Sequence, residues 1–324
     1  MDSDKIEGRQ VDSTRSPRFS GVTTFARLPH TKDLSGVESV FMGIPFDDGT
    51  VFRSGARFGP KGVREGSLLL RPYNPVMKVR PFEVLRMVDY GDLDPVPGYI
   101  EETFGRVEAE LTRVMRKGLV PLICGGDHSI TLPVLRSFNR LYGKLKLIHV
   151  DAHADCWDKH FGMSYGHGTV FRRASEEGLI EDNETVHIGL RGSLYSDRDL
   201  RDIEGMGHRV ITMDEVESDG IDDVITEIER CIGSSRSVYV SFDIDSCDPS
   251  IAPGTGTPEV GGLTTREVMR LIRGLVRFKI VGFDLVEVSP PYDVGGITSL
   301  LAANIFYEVA SVIAVSKGGK DFGT

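Results

Sequence analysis

The chain has few cysteines and no long hydrophobic run. Its 324 residues include four cysteines, Cys124, Cys156, Cys231 and Cys247, and no two of them form a CxxC pair. This spacing disfavours a Cys-ligated zinc site, and it predicts reduced thiols in a cytoplasmic protein. Neither a run of 18 apolar residues nor an apolar N-terminal signal segment is present, so we expect no membrane partner and no secretion.

The chain also has fewer basic residues than acidic ones. Lys and Arg number 38 against 48 Asp and Glu, which gives a formal net charge of -10. Because phosphate binding requires clustered Lys and Arg, we expect no nucleic-acid partner. An acidic surface instead favours the approach of cationic small molecules.

Short apolar segments alternate with helical patterns along most of the chain. Residues 1–20 are polar and lack hydrophobic periodicity, so we predict a flexible N-terminal tail followed by a single domain over residues 21–324. Buried strands are predicted at 40–44, 84–88, 119–123, 145–150, 185–189, 209–213, 237–242 and 280–286. Helical spacing between them predicts an α/β fold, with one mostly parallel sheet of about eight strands and helices on both faces.

Side chains that can bind metals follow two of these strands. In open parallel sheets the site lies beyond the carboxyl ends of the strands. The glycines of the GGDHS segment at 125–129 allow a sharp turn that presents His128, although such turns also commonly begin helices. After the next strand, Asp151, His153 and Asp155 alternate along extended chain and therefore share one face. Imidazole flanked by carboxylates suits Mn, Zn, Fe or Ni.

A further pair of carboxylates follows the strand at 237–242. Asp243 and Asp245 share one face for the same reason. If the three segments meet, four aspartates lie in one small volume, where unpaired carboxylates would be forced to protonate. Two divalent cations supply four positive charges and balance them. A single metal held by His153 and Asp155 is the alternative.

Together these motifs resemble those of the ureohydrolases, the family of arginases, agmatinases, guanidinobutyrases, proclavaminate amidinohydrolase and formiminoglutamases. GGDHS, DAHAD and SFDIDSCDP occur here in the order and spacing of that family. Segments at 44–49, 53–60, 254–263 and 287–291 resemble further family signatures. The loop between Asp155 and His167 is more similar to the agmatinase and guanidinobutyrase branch than to the arginases.

The resemblance implies a three-layer αβα arginase-like fold, a single catalytic domain over residues 21–324, and two divalent metal ions per chain. One metal would be held by His128, Asp151, Asp155 and Asp243. The other would be held by Asp151, His153, Asp243 and Asp245. The family mostly uses Mn²⁺, and Ni²⁺ or another transition metal is the alternative.

The resemblance also implies the reaction, which is cleavage of a small guanidino compound to urea and an amine. A hydroxide held between the metals would attack the guanidinium carbon, and Asp155 would orient that hydroxide. Glu287 would pair with the guanidinium nitrogens, His167 would pass a proton to the departing amine, and Thr257 would line the guanidine site. We expect His149 to pack behind the ligands rather than to bind metal.

The tail of the substrate is expected to meet the loop between Asp155 and His167. Trp157 and His160 are the predicted contacts. Asp158 would favour an amine tail, and Lys159, His160 or Arg172 would favour a carboxylate. We expect agmatine, with 4-guanidinobutyrate or another small guanidine or biguanide as alternatives.

Two other classes of function stay open at this point, a non-catalytic regulatory subunit and a deacetylase-like amidohydrolase. The intact ligand set, His167 and Glu287 disfavour both of them. The resemblance further implies a homo-oligomer, a trimer or a hexamer, with a hetero-oligomer containing a related subunit as the alternative.

Overall fold

Eight parallel strands form the centre of the protein. The computed structural model describes residues 9–233 and 237–318. The strands are β1 (Ser39–Ile44), β2 (Val88–Asp92), β3 (Val120–Gly125), β4 (Leu145–Val150), β5 (Ile180–Leu190), β6 (Arg209–Thr212), β7 (Ser237–Asp243) and β8 (Lys279–Val286). Their order is β2-β1-β3-β8-β7-β4-β5-β6, and every pair of neighbours runs parallel. The predicted parallel sheet is therefore confirmed.

Helices cover both faces of this sheet. In the described residues they are α1 (Gly59–Gly66), α2 (Pro81–Val84), α3 (Ile100–Met115), α4 (Thr131–Tyr142), α5 (Val170–Glu176), α6 (Asp199–Gly205), α7 (Met213–Asp219), α8 (Ile221–Ile232), α9 (Thr265–Gly274) and α10 (Ile297–Ser316). Apolar side chains of α3 to α6 join the core on one face, and those of α1, α2 and α7 to α10 join the core on the other. The predicted three-layer αβα fold is confirmed.

One predicted strand lies at the wrong position. The apolar run at 84–88 was expected to be a strand, but Pro81 stands at the start of the short helix α2, and β2 begins only at Val88. Pro favours the first turn of a helix because its φ is already helical and its missing N–H has no partner to lose there. Leu85 and Met87 are buried by packing between the two elements rather than by pairing in the sheet.

Helix α10 is long and apolar enough to span a membrane by length and composition alone. Within this domain, however, 83% of its most apolar window is buried. It packs against α1, α2 and α9, and its Phe306 contacts Phe41 and Phe283 of the sheet. The helix is therefore a core element, as its largely apolar circumference requires.

The residues before the sheet also contact the domain. Val11 donates its amide to Arg27 O, and the Arg27 guanidinium donates to Ser16 O and Ser16 Oγ at 3.0 and 2.9 Å. Residues 1–8 of the predicted tail lie outside the described residues. The predicted flexibility of the tail stays a prediction.

The four central strands carry the residues expected to be functional. β3, β8, β7 and β4 are consecutive neighbours in the sheet. Because all four are parallel, their carboxyl ends lie at one edge, and the segments that follow them share that edge. This topology alone brings the predicted metal motifs together.

Candidate metal centre

The turn after β3 depends on a glycine. A Cβ at Gly126 would lie 1.6 Å from Phe46 O, so no other residue fits this backbone position without displacement. Asp127 then accepts from the Ser129 amide at 2.9 Å and caps the turn that leads into α4. The close approach of two backbones fixes where His128 stands.

His128 presents a bare ring nitrogen to the site. Ser241 Oγ donates to Asp284 Oδ1 at 2.6 Å, so it accepts from His128 Nε2 at 2.9 Å. In a neutral imidazole the second nitrogen, Nδ1, then carries no proton. That buried Nδ1 has no hydrogen-bond partner.

Carboxylate oxygens surround this nitrogen. His128 Nδ1 lies 3.0 Å from Asp155 Oδ2, 3.2 Å from Asp151 Oδ2 and 3.3 Å from Asp243 Oδ2. With the imidazole neutral, these four atoms bring only lone pairs to one point, and all four side chains are buried. Such an arrangement fits a cation, which would accept all four lone pairs.

A second group of ligands adjoins the first. His153 Nδ1 lies 3.4 Å from Asp151 Oδ1 and 3.2 Å from Asp245 Oδ2. Asp151 contacts the histidines of both groups, and Asp243 Oδ1 accepts the Asp245 amide at 2.8 Å, which places Asp243 beside the second group. The structure thus brings all six predicted ligands together, and their set of four carboxylates and two imidazoles fits two divalent cations.

The crowding of these carboxylates alters their acidity. Burial, followed by the charges of Asp245 and Asp151, raises the pKa of Asp243 well above its ordinary value. Burial and the charge of Asp151 raise the pKa of Asp245 to about 6. Burial opposes a charged His128, yet Asp151, Asp155 and Asp243 raise its pKa well above the ordinary value. These carboxylates thus favour a proton on His128 Nδ1, and divalent cations bound by the same groups would displace it.

Glu287 has one carboxylate oxygen without a partner. Its Oε1 accepts from the His128 amide and from His167 Nδ1, both at 2.9 Å. Its Oε2 is buried and has no hydrogen-bond partner. Gly256 lies beside this oxygen, since an added Cβ there would stand 3.5 Å from Oε2. An N–H donor that reached Oε2 would satisfy it.

His167 is held at two ring nitrogens. The Val51 amide lies 3.2 Å from Nε2 and donates to it, while Nδ1 faces Glu287. Burial disfavours the charged ring, but Glu287 outweighs burial and raises the pKa of His167 to about 9. The imidazole can therefore carry a proton at Nε2 near neutral pH once it releases the Val51 amide.

The structure also places the other residues that were predicted to contact the substrate. The ring centroids of Trp157 and His160 lie 4.8 Å apart at a tilt of 36°, and that of His160 lies 6.4 Å from His167. Both ring nitrogens of His160 are buried and unpaired. Thr257 Oγ1 donates to Oδ2 of the candidate ligand Asp245 at 3.3 Å, and its predicted place in the guanidine site stays a prediction. Asp158 is paired with Arg173 at 2.8 Å.

Sequence reasoning missed several supporting residues. Ser241 and Asp284 stand directly opposite each other in β7 and β8 and hold His128 from behind. Their signal was a polar side chain inside a buried strand. Asp47 was also missed; it accepts from the Gly55 amide at 2.6 Å and shapes the loop that carries Val51. Glu259 was missed as well; its Oε1 lies 4.0 Å from His153 Nε2.

A cavity of about 410 Å³ adjoins the metal centre. It lies between the segment that follows β4, the segment that follows β5, and α6. His153 and Asp155 form its inner wall, and Trp157 lies farther out. The cavity is therefore continuous with the candidate ligands and can receive a chain several atoms long.

A parallel αβα fold with two histidines and four aspartates at the carboxyl edge of its central strands defines a class, that of binuclear-metal hydrolases. The Arginase family model matches residues 37–311, and the chain belongs to this family. It is 44% identical to the guanidinobutyrase of Pseudomonas aeruginosa over 96% of this chain and 98% of that protein. It is 41% identical to the mitochondrial agmatinase of Gallus gallus over 90% of this chain and 86% of that protein. The solved proclavaminate amidinohydrolase from Streptomyces clavuligerus superimposes with a TM-score of 0.89 at 40% identity, covering 93% of this chain and 100% of that one.

Proposed function

We propose that the protein hydrolyses the guanidino group of a small compound to urea and an amine. The observation that carries this proposal is the bare His128 Nδ1 among three carboxylate oxygens, next to the unpaired Glu287 Oε2. The first arrangement fits metal cations, and the second fits a planar N–H donor such as guanidinium.

Two divalent cations held by the six ligands would supply a strong nucleophile from water at neutral pH. We propose Mn²⁺, because a set rich in carboxylates favours a cation that prefers oxygen ligands. Ni²⁺ or another transition metal is the alternative. Membership of the Arginase family and the complete set of six candidate ligands both disfavour a non-catalytic regulatory role.

The chain's own residues bind and orient the substrate. Glu287 Oε2 accepts N–H donors of the guanidinium, and its Oε1 is fixed by the His128 amide, so the carboxylate plane is set before the substrate enters. His167, also bonded to Oε1, carries the proton at Nε2 that the departing amine takes up. Such contacts would hold the guanidinium group in place before the reaction and so lower the entropic cost of attack on its carbon.

The charges around the cavity support a cationic tail. Its wall includes the four carboxylates Asp158, Asp199, Asp202 and Asp214. Its two arginines are engaged elsewhere, Arg172 with Glu176 at 3.0 Å and Arg191 with Asp245 O at 2.7 Å. We therefore favour agmatine as the substrate.

A second candidate is 4-guanidinobutyrate. It is supported by the 44% identity to a guanidinobutyrase and by His160, whose unpaired ring nitrogens can donate to a carboxylate. Asp158, the acid expected for an amine tail, is partly neutralised by Arg173. These observations keep a guanidino acid close behind agmatine.

The substrate is tested by measuring kcat/KM for agmatine and for 4-guanidinobutyrate with one metal-loaded preparation. We expect urea from both and a preference for agmatine. A roughly tenfold preference for 4-guanidinobutyrate, about 1.4 kcal/mol in transition-state binding, would reverse the choice. His160→Ala is the matched variant, since it should weaken only the carboxylate substrate. Acetylated polyamines serve as the control for a deacetylase, and we expect no acetate from them.

We also propose a cytoplasmic homo-oligomer. All four cysteines are free thiols, which suits a reducing compartment.

A further inference from the structure

Three buried histidines link the metal centre to the edge of the sheet. His149 in β4 stands opposite His187 in β5, and His208 directly precedes β6. His149 Nδ1 lies 2.7 Å from His187 Nδ1, and His187 Nε2 lies 2.9 Å from His208 Nδ1. At the inner end, His149 Nε2 lies 2.8 Å from Oδ2 of the predicted ligand Asp151. We call His149, His187 and His208 the histidine chain.

The outer end of the histidine chain reaches two polar groups. His208 Nε2 lies 3.0 Å from Ser175 Oγ and 3.4 Å from Asp182 Oδ1. Along the chain, the ring of Phe171 packs 4.2 Å from His149 and 5.8 Å from His187, measured between ring centroids. The three histidines are fully or almost fully buried, so their ring nitrogens need hydrogen-bond partners inside the protein.

The donors and acceptors can be assigned from the inner end. A carboxylate only accepts, so His149 Nε2 carries the proton that binds Asp151, and Nδ1 of the neutral ring is bare. His187 must then donate from Nδ1, which leaves its Nε2 as an acceptor. His208 must in turn donate from Nδ1, which leaves its Nε2 bare. The Ser175 hydroxyl donates to Asp182 Oδ1 at 2.7 Å, so the bare Nε2 has no donor at this outer end. The reverse order would instead place a bare His149 Nε2 2.8 Å from the buried Asp151 carboxylate, which costs more than a bare Nε2 3.4 Å from the partly exposed Asp182.

Two further observations agree with this assignment. Burial, as the largest cause, lowers the pKa of His187 and of His208, so both rings are neutral, as the assignment requires. Cys156, whose thiol lies near these two rings, donates to Ala154 O at 3.1 Å and leaves the chain unbroken.

We propose that His187 is a positioning residue that fixes the tautomer of His149 and so holds Asp151 in the orientation that binds metal. The proposal rests on the proposed function in one respect, the role of Asp151 as a ligand. Hydrogen-bond donors behind metal ligands typically contribute about 10–100-fold in metal affinity. His187 differs from such donors in acting one residue farther from the metal, through His149.

A matched pair of variants tests the proposal. His187→Asn keeps an N–H donor near the position of Nδ1, whereas His187→Leu has the shape of Asn and no donor. We expect His187→Leu to weaken Mn²⁺ binding, measured by chelator competition, by about 10–100-fold. We expect His187→Asn to stay nearer the wild-type affinity. A role in packing alone would affect both variants alike.

Ring nitrogen chemical shifts give a second readout that does not depend on any variant folding. In wild-type protein labelled with ¹⁵N-histidine and loaded with diamagnetic Zn²⁺, we expect the His187 proton on Nδ1. A His187 proton on Nε2, or equal Mn²⁺ affinity of the two variants, would overturn the proposal. Wild-type protein that binds Mn²⁺ but releases no urea from any guanidino compound would contradict the proposed function alone.

Discussion

Asp155 and Glu287 both adopt positive φ angles, 50° and 62°, although neither is a glycine. Such a conformation costs about 1–3 kcal/mol for an ordinary residue and persists only where the surroundings impose it. Asp155 is one of the candidate ligands, and Glu287 carries the unpaired oxygen beside Gly256. Two of the seven described non-glycine residues with positive φ therefore lie where the proposed chemistry needs fixed side chains.

Removing charge from a shared ligand should affect both metals. Asp151 contacts the histidines of both ligand groups, and Asp243 is the second predicted bridging ligand, so Asp151→Asn and Asp243→Asn each take one negative charge from the site. We expect each variant to lose about one metal per chain and most of its urea release. Elemental analysis of the purified variants checks this. Full metal content together with normal turnover would disprove the bridging role.

Removing His167 should separate chemistry from metal binding. Its ring contacts Glu287 and the Val51 amide but none of the six candidate ligands. We therefore expect His167→Ala to keep its metal content and to lower kcat by about 10²–10⁴-fold. A fall in metal content instead would show that His167 is a ligand rather than a proton carrier.

At the scale of elements, the sequence predicted where ligands lie better than how they are supported. Alternation along the chain predicted that Asp151, His153 and Asp155 lie together after β4, but the chain bends at Ala152 and His153, and Asp155 adopts a positive φ, so the segment is not extended as expected. The tautomer of His128 could not be predicted from the sequence. It depends on Ser241 and Asp284, which lie on two strands whose pairing register cannot be read from local patterns. Local patterns fix the parity of a strand, while its neighbours are decided by the packing of the whole sheet.

The same limit explains the misplaced strand. The apolar residues at 84–88 are compatible with either a strand or the turn after a short helix. Over only five residues, hydrophobic periodicity cannot distinguish these two structures. The capping box at Thr264 and Glu267, in contrast, is a local hydrogen-bond pattern that can be read from the sequence, and α9 begins directly after Thr264.

The turn after β3 can be tested with a pair of glycine substitutions. In Gly126→Ala the new methyl group would overlap Phe46 O, so we expect the free energy of unfolding to fall by at least about 1–3 kcal/mol and His128 to be displaced. Gly105→Ala is the control, because this exposed position in α3 has no atom within 4 Å of an added Cβ. It should raise stability by about 0.5–1 kcal/mol. Equal stability of the two variants in urea denaturation would contradict this account of the turn.

At the scale of the molecule, exposed apolar side chains favour assembly. Phe52 and Phe58 are 70% and 52% exposed, and Val294, on the neighbouring segment, is 72% exposed. The two segments adjoin, since an added Cβ at Gly55 would stand 2.9 Å from Pro291. We expect this surface to be covered in a trimer or a hexamer. Light scattering at micromolar concentration checks the mass, and a monomer would contradict the expectation.

The central claim is that two metal ions and the residues around them cleave a guanidino group. The most direct test titrates metal-free protein with Mn²⁺ and follows bound metal and urea release from agmatine and 4-guanidinobutyrate in the same samples. We predict saturation at two Mn²⁺ per chain, with urea release rising to its maximum at that ratio, since four aspartates and two histidines form the site. Full turnover with one metal per chain, or two bound metals without urea from either compound, would contradict the account.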